Sequence, residues 1–206
     1  MVPSERPVLH YVLDVPGAPE RTMQLRAAGY GWKVEGAYTR DIHLQWIAAD
    51  PVAYGAELRS ATAFVGGSVP GRTYDLTFPR TYPPAAGAGI AVIRSDGDVP
   101  VQPLLRIWGP VTGPRVTIRT PAGTTFVVGF VTPFAIGAGA FVDVDTKQRT
   151  AYYNGDPNEP ALTSLDWTTL EWPILPVHVD NALTLTGAGA TSTTQVQAIW
   201  HDGFLA

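Results

Sequence analysis

Apolar and polar residues alternate along most of the 206-residue chain, in short runs separated by glycine and proline. A period of two sends successive side chains to opposite faces of a strand, so each run reads as a half-buried β-strand. In the first quarter, HYVLDV and TMQLRA are two such runs split by the turn PGAPE. RDIHLQWIAAD, Arg40 to Asp50, sets Ile42, Leu44, Trp46 and Ala48 against Asp41, His43 and Gln45, and it stops at the turn signal Asp50-Pro51. AYGAELRSA has room for one helical turn at most. From Thr62 onward come TYDLTF, the rigid connector PRTYPPAAGAG, then GIAVIRS, PLLRIWG, RVTIRT, TTFVVGFV, AFVDV, RTAYYN, NALTLTG and TQVQAIWHD, with Asn154-Gly155 marking a tight turn. No run sustains a helical period and no sequence repeat recurs at a fixed spacing. Many short strands with frequent turns predict an all-β sandwich.

One stretch is punctuated twice. LLRIWGPVTGPRVTIRT, Leu104 to Thr120, carries Gly109-Pro110 and Gly113-Pro114 between β-type runs. Proline fixes φ, offers no amide donor and pushes its predecessor out of the helical region. The pattern predicts a strand ending near Trp108, a stiff turn, and a strand resuming at Val116.

Composition narrows the class further. The chain is 45% hydrophobic and only 16% charged, so a core can be built without staples. Its 21 glycines and 19 prolines are spread out, which reads as many turns rather than a linker. It has no cysteine, which excludes disulfides and thiolate metal sites. A net charge of −4 with scattered basic residues offers no footprint for nucleic acid or an anionic membrane. MVPSERP is followed by no apolar signal region. FVVGFVTPFAIGAGAFV, Phe126 to Val142, approaches a membrane span in length, but Thr132, Pro133 and its glycines make it two buried strands around a turn.

Catalytic signatures are missing. GGSVPG, Gly66 to Gly71, has the wrong spacing for a nucleophile elbow. His10, His43, His178 and His201 form no ligand pattern and read as surface or strand histidines. DVDTK, Asp143 to Lys147, opens like a calcium loop but has Gln148 and Asn154 where the loop needs glycine and glutamate. Asp143 and Asp145 are therefore expected to share one face of a strand end and face water. No enzyme site, metal or cofactor is expected.

The six tryptophans offer a binding alternative, since exposed tryptophans stack on sugars. Trp46 and Trp200 alternate in phase with apolar neighbours and are expected in the core. Trp167 and Trp172, in the turn-rich LDWTTLEWP, are the candidate ligand or partner contacts, with core or interface packing as their competing role.

The ordered series of segments resembles the siphovirus distal tail protein (Dit) family, also described as phage minor tail proteins. The segments are RTYPP, SDGDVPVQPLLRIWGPVTGPRV, PAGTTFVV, GAGAFVDVDTKQRTAYYNG, LEWPILPVHVDNALTLTG and VQAIWHDGFL. They cover Tyr74 to Ala206, and QWIAADPVAYG, Gln45 to Gly55, resembles the end of the family's N-terminal domain. Val179-Asp180 replaces the family's Pro-Gly before Asn181, and no H-x-N-x-R sugar-binding series is present.

The resemblance implies a structural virion protein of the tail tip. Its N-terminal part would join a ring, six-fold in the family, beneath the tail tube. A galectin-like sandwich would project outward and hold tip or receptor-binding proteins. On this reading residues 1–60 form a β-rich, partial or reduced ring segment, and residues 61–206 the sandwich. The twin Gly-Pro pairs would stiffen a corner between the two sheets. The partners implied are copies of itself, the tail tube protein and other tip proteins, with no nucleic acid and no membrane. A carbohydrate-binding module is the alternative, and a sandwich hydrolase with an unrecognised site the third reading.

Overall fold

The computed structural model describes residues 8–11, 21–35, 39–48, 50–65 and 89–205. The expectations for TYDLTF, GGSVPG and RTYPP lie outside the described residues, as do those for the side chains of His10, His43 and Trp46.

Among the described residues, thirteen strands run in the order β1 (Val8–Tyr11), β2 (Arg21–Glu35), β3 (Thr39–Ala48), β4 (Val52–Phe64), β5 (Ile90–Ile93), β6 (Leu104–Trp108), β7 (Val111–Arg119), β8 (Thr125–Gly129), β9 (Ala135–Ile136), β10 (Phe141–Asp145), β11 (Thr150–Tyr153), β12 (Asn181–Ala188) and β13 (Gln195–Leu205). The one helical element among the described residues is a 3-10 turn at Leu162–Ser164. The first sheet has the order β1-β2-β4-β13-β6-β10-β11, with β3 also on β2; the second has β5-β12-β7-β8, with β9 on β7. The chain is an all-β sandwich, as the alternation predicts.

The two sheets enclose one core. Leu105, Ile107, Val142, Val144, Val196 and Ala198 of the first sheet meet Val116, Ile118, Val128, Leu183 and Leu185 of the second, all buried. Each such Val, Leu or Ile side chain contributes about 1.5–3 kcal/mol through burial. The residues between them face water, so period two along the chain becomes the inside and outside of the fold.

The first Gly-Pro pair is the expected corner. β6 lies in the first sheet and β7 in the second, and Gly109-Pro110 joins them. The second pair does something else, because β7 resumes at Val111 rather than at Val116. Val111 and Thr112 pair with β9, whereas Arg115 onward pairs with β8. The register to β12 shifts between these stretches, from Ala188↔Thr112 to Thr186↔Arg115. Gly113-Pro114 is thus a bulge inside a strand. Gly113 supplies the left-handed φ of 56° that the bulge requires, and Pro114 brings no amide to a position where the ladder is interrupted.

AYGAELRSA holds no helical turn. It lies within β4, where the register to β13 steps from Leu58↔His201 to Tyr54↔Gly203. The surplus residues form a bulge whose Gly55 and Glu57 carbonyls meet His201 Nδ1 at 2.8 and 3.1 Å. Asp50-Pro51 does interrupt a strand, but without reversing it. β3 and β4 are both antiparallel to β2 along its length, so the chain kinks and continues in the same direction.

The N-terminal strands extend from the sandwich. β2 and β3 pair from Leu25↔Ala48 to Glu35↔Thr39, while β2 meets β4 only at Arg21↔Gly55 and Thr22↔Tyr54. Residues 60 and 61 both lie within β4, so the N-terminal segment and the sandwich share this strand.

Candidate interaction surfaces

Among the described residues no group of three or more His, Asp or Glu side chains could hold a metal. His178 sits in an exposed turn with φ of 57°, and His201 is spent on the β4 bulge. Asp143 and Asp145 share the outward face of β10 as expected, but Asp143 is not free there. It is held by Arg106, whose Nε and an Nη donate to its two carboxylate oxygens at 2.7 and 2.8 Å. Asp145 caps the turn after β10, accepting from the amides of Lys147 and Gln148 at 2.9 and 2.8 Å. Neither carboxylate keeps the freedom a calcium loop needs.

The junction between the extension and the sandwich is polar. Asp50 lies at the kink after β3, Tyr54 on β4, and Lys147 in the turn joining β10 to β11. Tyr54 Oη donates to Asp50 Oδ2 at 2.8 Å, and the Val52 amide to Oδ1 at 3.1 Å. Lys147 Nζ donates to Asp50 Oδ2 and to Tyr54 Oη, the latter at 2.7 Å. Burial pushes the Asp50 carboxyl up, but the hydrogen bonds from Lys147, Tyr54 and Val52 outweigh it and leave it below the ordinary carboxylate value. Burial works against the charged form of Lys147 too, and its bonds to Asp50 and Tyr54 carry it above the ordinary lysine value. Arg21 stacks over Phe204 at 4.1 Å on the same junction. The groove beneath Lys147, about 400 Å³, is lined by Leu58, Gln102, Leu104, Ile199 and His201.

A second polar cluster locks the loop after β5 onto β13. Arg59 bridges Asp96 and Asp202, both at 2.8 Å, and Arg94 holds Asp96 at 2.7 Å. Asp98 and Val99 donate their amides to the Gly203 carbonyl at 2.7 and 3.2 Å. The approach is so close that a Cβ on Gly97 would lie 2.0 Å from that carbonyl oxygen.

The two sides of the sandwich differ. On one, residues 159–171 cover the outer edges of both sheets: Tyr153 and Ala151 bond to Glu159 and Ala161, and Val127 exchanges two bonds with Glu171. On the other, β4 and β5 present Leu58, Phe64, Ile90 and Val92, which are 61, 44, 56 and 63% exposed.

The candidate pair Trp167 and Trp172 divides within the covering segment. Trp172 packs against the core cluster, whereas Trp167 is 58% exposed. Trp200 is buried, as its phase in the strand predicts. Pattern reading missed the Arg106–Asp143 pair and the Asp50–Tyr54–Lys147 junction. Each is made by residues far apart in the chain, and only strand order brings them together. The one signal was that charged residues stood at outward positions of predicted strands.

No family model matches the sequence, and no curated protein matches it. Among solved structures, the fold is similar to the crystal structure of the SPP1 distal tail protein (Dit), with a TM-score of 0.59 at 14% identity. The match covers 91% of this chain and 65% of that protein, which is described as a paradigm of the hub adsorption apparatus in phages infecting Gram-positive hosts. At this identity the likeness is one of fold.

Proposed function

We propose that the chain is a structural component of a bacteriophage tail tip, acting as a non-catalytic hub between the tail tube and the proteins that attach to the host. One observation carries this reading: the fold follows that of SPP1 Dit over 91% of the chain, N-terminal extension included. The ordered segments from Tyr74 to Ala206 resemble the same family independently of the fold.

In this role the segment of residues 1–60 forms the ring, and residues 61–206 form the sandwich that projects from it. β3 supports the ring-forming part. It has β2 on one edge and no partner on the other among the described residues, and its Ile47 is 47% exposed. Unpaired strand edges with apolar residues favour pairing with another chain. Trp167 is the contact we assign to a neighbouring tip protein, because a large exposed indole on an otherwise closed edge suits an interface anchor. Trp172 packs against the core instead.

Locating the chain in tail particles by antibody labelling and electron microscopy tests the assignment. Label at the tail tip is the expected result; label on the head, or none on the particle, overturns it. Light scattering of the full chain with and without tail tube protein tests the ring. Six copies are expected by resemblance, and a monomer that ignores the tube sinks the hub reading.

A further inference from the structure

The outward face of the first sheet carries an arrangement that the tail-tip reading does not use. Gln195 stands opposite Phe64 on one neighbour and Trp108 on the other, and Trp108 stands opposite Phe141. These four side chains make one row across β4, β13, β6 and β10. Two residues along, Thr62, Gln197, Arg106, Asp143 and Tyr152 make the next row by the same registers. Both rows point away from the core, because the residues between them, Val196, Ile107 and Val142, are fully buried.

The part of each row on β6 and β10 is also held in place. Trp108 rests on Phe141 with ring centroids 4.7 Å apart. The Arg106 guanidinium lies 4.5 Å over the Phe141 ring while it grips Asp143 in two places. A guanidinium has five N–H donors and Asp143 takes two, so about three are left to point along the face. The carboxylate retains acceptor capacity, and Gln195 and Gln197 each bring a donor and an acceptor on a short stem.

We propose that this face binds an uncharged oligosaccharide. A sugar ring has an apolar face of C–H groups and a rim of hydroxyls, and the two rows answer these in turn, aromatic beside polar. The strand spacing of about 4.8 Å is comparable to the length of one pyranose unit, so a short chain laid across the strands runs along the rows with its units in step with the strands. A protein partner fits less well, since burying the Arg106–Asp143 pair would desolvate both ions. Polyanions are disfavoured by Asp143 and by the net charge of −4. Among the described residues the face is shallow and half-exposed at Trp108, Gln195 and Gln197, so the affinity lies in the range of about 0.1–10 mM. The site is separate from Trp167, and it does not depend on the chain's place in a particle.

The test titrates the full chain with chitotetraose and with cellotetraose up to about 10 mM, read by heteronuclear NMR shifts and calorimetry. Saturable binding of at least one of them is expected. Gln195→Ala with Gln197→Ala, both on the solvent side, should weaken it about tenfold with an unchanged melting temperature. Arg106→Lys should also weaken it, since a point charge replaces the fork. Trp108→Ala should abolish it, and Trp167→Ala should leave it unchanged. No saturable response to either sugar overturns the proposal. So does binding that survives the glutamine changes at full strength, or that is lost only with Trp167.

Discussion

The sandwich and the N-terminal extension are built from the same alternating pattern, yet they stand on different supports. The sandwich closes two sheets over a core of fully buried aliphatic residues, and it covers one side with its own chain, residues 159–171. The extension is a long ladder of β2 and β3, joined to the sandwich at two register pairs and one polar junction. A two-stranded ribbon is marginal in water by itself. The contrast shows that alternation specifies strands, whereas stability comes from what the apolar face is pressed against.

The comparison predicts its largest effect in the core. Leu105→Ala removes a fully buried side chain between the sheets and should cost roughly 2–5 kcal/mol. Ile47→Asp, on the exposed face of β3, should change the stability of the isolated chain by no more than about 0.5 kcal/mol. Urea unfolding of both variants checks the pair. Equal losses would mean that the extension has a buried partner and that the division is false.

A somewhat smaller effect is expected at Gly97, where a Cβ would meet the Gly203 carbonyl at 2.0 Å. Backbone on both sides must move, so Gly97→Ala should cost roughly 1–3 kcal/mol, read as a lower melting temperature. The loop that would shift also carries Asp96, and the Arg59–Asp202 bridge should loosen with it. Gly123→Ala is the contrast, since a Cβ there meets nothing within 4 Å. Only its left-handed φ of 93° is at stake.

These positions also mark how far the sequence was legible. Strand existence was, because Leu105 and Ile107 on β6, and Val196, Ala198 and Trp200 on β13, repeat at period two and nothing interrupts them. The corner at Gly109-Pro110 was legible for another reason: proline fixes its own φ and bars the residue before it from the helical region, which leaves few alternatives. Gly113-Pro114 carries the same letters but is a bulge, and the difference lies in its partners β8, β9 and β12, which local sequence does not name. AYGAELRSA hid β4 because its apolar positions are small and the bulge at Gly55 to Glu57 breaks the phase. The rows across the first sheet were illegible for a stronger reason. Phe64, Gln195, Trp108 and Phe141 become neighbours only once four strand registers are fixed.

Deleting Met1 to Asp50 sharpens the comparison from the other side. β4 begins at Val52, so every strand of the sandwich survives and the core is untouched. The truncated chain should unfold cooperatively, less stable by about 1 kcal/mol through loss of the Arg21–Phe204 stack and the Asp50 contacts. An uncooperative transition would show that the extension is part of the sandwich core.

The smallest effect belongs to the junction itself. Lys147→Ala leaves the Tyr54–Asp50 bond but removes the cation that ties the β10–β11 turn to the end of β3. Asp50 and Lys147 are 31 and 46% exposed, so the pair contributes no more than about 0.2–1 kcal/mol. Its pH dependence identifies it better than its size. The Asp50 carboxyl is lowered in the fold, so its contribution is present above the unfolded value of about 3.9 and fades as pH falls through the folded one. The Lys147 ammonium is raised, so its contribution is whole below about 10.4 and fades as pH climbs through the folded value. The stability difference between the wild-type chain and Lys147→Ala should therefore be flat from about pH 5 to pH 9 and shrink towards both extremes. Salt should narrow it in the same way, because the charges are partly in water. A difference that persists undiminished as pH falls below about 4 would mean that Lys147 acts through packing on Tyr54 rather than through Asp50. The extension would then be held to the sandwich by an apolar contact and not by charge.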